Sequence, residues 1–137
     1  MSKFFAIVVL PPTVDIRSAD AVEQAVDRLM RPFEIWDGDD PTPPGHNGCW
    51  DYYWCCSKAW LVEDDRASDV YDGQEDLVFP VDRITEDGVV HALVTPDGKW
   101  HESNATYMKE DPDWDQKALA LLRAHPAHFG VLAYCHS

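Results

Sequence analysis

Phe4-Phe5-Ala6-Ile7-Val8-Val9-Leu10 is an apolar run without a polar break. It is rich in β-branched and aromatic residues, and a run of this length reads as a strand buried on both faces of a sheet. Pro11-Pro12 ends it, because proline has no N–H to give to a ladder. Phe129 to Cys135 reads as a last strand near the other end of the chain. The two long apolar strands are expected to be antiparallel neighbours.

Outward from the first strand, Ser18 to Arg31 reads as a helix. Val22, Ala25, Val26, Leu29 and Met30 form one continuous apolar stripe. Ser18 or Asp20 caps its start, Arg28 and Arg31 sit at its negative end, and Pro32 stops it. Residues 37–48 are a loop by composition, with four glycines or prolines in the stretch Pro41, Pro43, Pro44 and Gly45 alone. From Trp50 to Val62, aromatics alternate with other residues as in a strand. Leu77-Val78-Phe79-Pro80-Val81 reads as a short edge strand, and Val89 to Thr95 as a further strand. Thr95-Pro96-Asp97-Gly98-Lys99 is a turn, with Pro setting φ and Gly taking the left-handed position. Trp100 and His101 begin the return strand. Asp111-Pro112 opens a second helix with Asp as cap, and Trp114, Ala118, Leu121 and Leu122 form its stripe. The order β-α-β-insert-β-hairpin-α-β predicts a single α+β domain over 1–137. It matches a ferredoxin-like split βαβ, an antiparallel sheet with two helices on one face.

The chain has 137 residues, which suits one domain with a core of its own. It carries 25 acidic residues against 11 basic, a net charge of −14. Such a field repels phosphate backbones and anionic membranes, and it favours basic partners or protein surfaces that normally bind nucleic acid. The plainer effect of the same charge is solubility. Residues 63–87 hold ten Asp or Glu against two Arg. This acidic insert makes Glu63, Asp64, Asp65, Asp69, Asp72, Glu75 and Asp76 the expected partner-binding surface. No secretory signal is legible at the start, and no stretch approaches the ~20 apolar residues that span a bilayer. The expected location is therefore cytoplasmic, with the four cysteines as reduced thiols.

No catalytic motif stands out, and no cofactor is expected. His46-x-x-Cys49 has a chelating separation but lacks a second pair, so these two are weak metal candidates. A cysteine nucleophile has no local signature, and the acidic field works against a thiolate. His91 and His101 would share a sheet face if the turn pairs Thr95 with Lys99. Trp50, Tyr52, Trp54 and Trp60, with these histidines, form a possible ligand or partner patch. Core packing is the alternative for the aromatics.

Trp50-Asp51-Tyr52-Tyr53, the run Val94-Thr95-Pro96-Asp97-Gly98-Lys99-Trp100-His101 and the terminal Cys135-His136 together resemble an uncharacterised family of small phage, prophage and actinobacterial proteins. Its members show W-D-[WY]-[WY] running into G-G-R-W, then T-P-D-G-x-W, and a D-C-H end. This chain departs at Cys56-Ser57-Lys58-Ala59, which stand where G-G-R-W would fall, and at Tyr134, where the family has Asp. The resemblance implies a mobile-element source and supplies no mechanism. Two functions follow as expectations. The first is a non-enzymatic binding protein of a phage or mobile element that acts on a basic or nucleic-acid-binding host protein, as an inhibitor of a defence or regulatory factor. The second is a small ligand- or zinc-binding domain, with a pocket between the Trp50–Trp60 aromatics and His91/His101.

Overall fold

The computed structural model describes residues 3–35, 48–56, 78–84, 89–105 and 108–137. Among these residues the protein is mixed α+β, with one six-stranded sheet and two α-helices. In chain order the elements are β1 (Lys3–Val9), α1 (Ala19–Met30), β2 (Tyr52–Cys55), β3 (Val78–Pro80), β4 (Ala92–Val94), β5 (Trp100–Glu102), α2 (Trp114–Arg123) and β6 (Phe129–His136). The sheet runs β2-β6-β1-β4-β5, and β3 also pairs with β6, beside its first residues.

The apolar run at the start of the chain becomes an inner strand. Ala6, Ile7, Val8 and Val9 are completely buried. β1 pairs antiparallel with β6 from Lys3–His136 to Val9–Gly130, as the two apolar strands lead one to expect. Alternation then divides the core in two. Ala6 and Val8 pack with Val22, Ala25, Val26 and Met30 of α1. Ile7 and Val9 pack with Trp114, Ala118 and Leu122 of α2. The helices therefore cover opposite faces of the sheet.

This overturns the ferredoxin-like arrangement with both helices on one face. The reason is written in β1: a strand with no polar alternation has no face to give to water, so each face needs its own helix. The strand pairing differs as well. β1 and β4 are parallel neighbours, with Ala6 opposite Ala92 and Val8 opposite Val94. A split βαβ unit would set an antiparallel strand between the two, and here none intervenes.

Local signals explain the elements. Ser18 caps α1, its Oγ accepting from the Ala21 N–H at 3.2 Å. Two indoles fasten the layers. The Trp50 N–H donates to the Met30 carbonyl, and the Trp114 N–H to the Val90 carbonyl, both at 2.8 Å. α2 begins two residues later than the Asp111-Pro112 reading placed it, with Asp113 at the cap position. The Asp111 carboxylate instead accepts from the Asn104 N–H at 2.8 Å. The hairpin turn closes as expected, the Gly98 N–H donating to Thr95 O at 2.9 Å with φ +80° at Gly98.

The short strand expected at Leu77–Val81, within the acidic insert, is β3. The insert's described end, residues 78–84, belongs to the core: Val78, Phe79, Val81 and Ile84 are all buried. Arg123 of α2 stitches this segment down, donating to Asp82 O at 2.6 Å and Ile84 O at 2.7 Å. Four apolar side chains among many acids are enough to anchor a segment.

Candidate functional site

β2 is short, and alternation splits its side chains between the two faces of the sheet. Tyr53 and Cys55 join the α1 side. Tyr52 and Trp54 point to the α2 side, and each is 46% exposed. Register with β6 sets Tyr52 opposite His136 and Trp54 opposite Tyr134, and β6 in turn sets Tyr134 opposite Phe5 of β1. The result is an aromatic ladder that extends the α2-side core outward to solvent. Tyr52 stacks on His136 at 4.6 Å with 9° between the planes. Tyr52 and Trp54 lie 5.9 Å apart at 14°. Trp54 meets Tyr134 at 4.9 Å and 30°, and Tyr134 packs edge-on against Phe5 at 4.9 Å.

A buried imidazole and an exposed carboxylate close one end of the ladder. His136 Nδ1 lies 2.7 Å from Asp51 Oδ1. An ionised carboxylate only accepts, so the proton in this bond belongs to the imidazole. The Tyr52 N–H donates to the same oxygen at 2.9 Å. The hydrogen bond from His136 holds the Asp51 carboxyl below its ordinary range, so it is charged at neutral pH.

On the opposite face, α1 and β2 enclose an open groove of 620 Å³. Tyr53 donates its hydroxyl proton to Asp27 Oδ1 at 3.0 Å. The Arg31 guanidinium lies 5.3 Å over the Trp50 ring and pairs with Asp27 and Glu34. Burial raises every thiol: Cys49, Cys55 and Cys56 to about 11, and Cys135 to about 12. All four stay protonated at neutral pH, the less nucleophilic state. Among the described residues no group of three or more His, Cys, Asp or Glu is placed to hold a metal ion.

The structure does not bring the expected aromatic and histidine patch together. Tyr52 and Trp54 are side by side. Trp50 is buried on the other face, 2% exposed. His91 and His101 belong to the far edge, with β6, β1 and β4 between that edge and β2. Nor do the histidines share a face. Leu93 does stand opposite His101, as the turn requires. The chain bends at His91, however, which turns its ring onto Phe4 at 5.3 Å and its Nε2 to 3.3 Å from Glu102, on the α1 side. His101 stays on the α2 side with Nε2 3.3 Å from Thr95 Oγ1. Among the described residues, the aromatics and this pair therefore line no common pocket. Cys49 is half-buried, and its proposed metal partner His46 lies outside the described residues. So do Trp60 and the acidic candidates Glu63, Asp64, Asp65, Asp69, Asp72, Glu75 and Asp76.

Sequence reasoning named Tyr52 and Trp54 but missed Asp51, Tyr134 and His136 as their companions. The signal was register: once β2 and β6 are paired antiparallel, Trp50-Asp51-Tyr52 and Cys135-His136 must meet. No family model matches the chain, and no curated protein or solved structure matches it. Fold and site together define a mixed α+β protein with a half-exposed aromatic ladder at one sheet edge. No helix among the described residues is long and apolar enough to cross a membrane.

Proposed function

We propose that the protein is a non-enzymatic binding protein of a phage or mobile element, acting on a basic host protein as a mimic of nucleic acid. One observation carries this: a stacked pair of half-exposed aromatics, Tyr52 and Trp54, on an edge strand of a protein with net charge −14. Large aromatics left in water at a sheet edge are what the centre of a protein interface uses. The charge decides the sign of the partner and speeds its approach. The family resemblance supplies only the mobile-element source; inhibition of a defence or regulatory factor follows from the charge.

The test is competition. Immobilised protein is offered purified basic DNA-binding proteins at rising salt, with and without duplex DNA. Binding is expected to weaken with salt, as screening requires, and to be displaced by DNA. Binding that ignores both salt and DNA contradicts the mimic, and so does retention of acidic proteins as readily as basic ones.

A further inference from the structure

We propose that the ladder of Tyr52, Trp54, Tyr134 and His136, ending at Asp51, binds an arginine side chain of the partner. This rests on the binding function above and narrows it from a basic partner to a guanidinium.

The ring geometry restricts the ligand to a planar group. Tyr52 lies nearly parallel to both His136 and Trp54, at 9° and 14°, so the rings stack on one another as an open ladder rather than a closed cage, and Tyr52 and Trp54 each stay 46% exposed. Besides aromatic side chains, which bring no charge to match the protein's −14, two planar groups are common in macromolecules, the nucleobase and the guanidinium. Stacking alone does not separate them, since aromatics take both. Charge does: a base arrives with phosphates, which a net −14 repels, whereas a guanidinium arrives with the complementary sign. Lysine fits less well, because its ammonium is compact, strongly hydrated and not planar.

Asp51 adds the second half of an arginine site. Its hydrogen bonds with His136 and with the Tyr52 N–H both fall on Oδ1, and its side chain is 43% exposed. Oδ2 takes neither of these bonds and can accept from a guanidinium on the exposed part of the ladder, and the bond to His136 fixes the carboxylate beside the rings. The protein already builds this arrangement for itself on the other face of β2. There Arg31 lies 5.3 Å over the Trp50 ring while Asp27 and Glu34 hold its nitrogens. Ring and carboxylate recur on the ladder, and among the described residues no guanidinium lies on them.

Calorimetric titration of the full chain with octa-arginine, octa-lysine and a single-stranded DNA octamer tests this. The wild type is expected to bind octa-arginine more tightly than octa-lysine and to leave the DNA unbound. Trp54→Ala and Tyr52→Ala are each expected to lose about 2- to 5-fold in affinity for octa-arginine, the effect of one exposed cation–π contact. Trp54→Phe should keep most of it, and Asp51→Asn should lower the preference for arginine over lysine. Equal affinity for the two peptides overturns the arginine site even if both bind in a salt-dependent way; the acidic binding function then survives. Binding of neither peptide overturns both readings, and binding of the DNA octamer overturns the choice of guanidinium over base. The arginine-to-lysine comparison needs only wild-type protein, so a variant that fails to fold does not rescue the proposal.

Discussion

Gly130 shows how closely single atoms are fitted in this protein. A Cβ there would stand 2.9 Å from Val81 Cγ1 and 3.2 Å from both Ile7 Cγ2 and Phe79 Cε2. The glycine is what lets residues 79–81 close over β6, and nothing in its immediate sequence announces it. Gly130→Ala is expected to destabilise the protein by about 1–3 kcal/mol through overpacking, measured by urea denaturation. His101 makes a different residue-scale prediction. Burial pushes its imidazole below the ordinary value of 6.5, Lys117 and Lys99 push the same way, and Asp97 opposes them. The fold thus prefers the neutral ring, and the unfolded chain takes up the proton first. Stability from this group is intact above about pH 6.5 and is lost as pH falls from there toward the lower folded value. His101→Gln should flatten that part of the stability profile. An equal acid-side slope in wild type and variant would contradict the assignment.

At the scale of elements, legibility follows how local each signal is. α1 was readable nearly to the residue, because its stripe and Ser18 cap lie within one segment. The Thr95–Lys99 turn was readable for the same reason. α2 was misplaced at its start because Asp111-Pro112 has the chemistry of a cap, yet Asp111 is engaged by Asn104 from the preceding segment. The bend at His91 broke an alternation that the sequence pattern continues without interruption. The opposite placement of the helices gives the sharpest element-scale test. Met30 and Leu122 are fully buried in separate cores, one on each face. Met30→Ala and Leu122→Ala should each cost about 2–5 kcal/mol. The same change at half-buried Leu29 or Leu121 should cost less. Separate cores also predict that the first two add, within about 0.5 kcal/mol, in the double variant. A strong coupling between them would mean that the helices share one core.

For the whole molecule, composition conveyed the class and the charge, but not the topology. The unbroken run Phe4–Leu10 already required cover on both faces, so the two-sided packing was implicit in it. The parallel pairing of β1 with β4 was not, because no local residue says which strand of a hairpin lies inward. The candidate site was half legible for a similar reason. Tyr52 and Trp54 are conspicuous as aromatics on a strand, whereas Asp51 and His136 meet across 85 positions of sequence only when β2 is paired with β6. The central claim is that the ladder is the surface that meets a basic partner. The most direct measurement is a ¹⁵N–¹H spectrum of the full chain, titrated with octa-arginine and read at the tryptophan indoles. Trp50 and Trp114 commit their indole N–H groups to Met30 and Val90, away from the ladder, and so serve as internal controls. The account predicts that Trp54, together with the amides of Tyr52, Tyr134 and His136, shifts progressively while the Trp50 and Trp114 indoles stay in place. Shifts that leave Trp54 and its neighbours unmoved would contradict it.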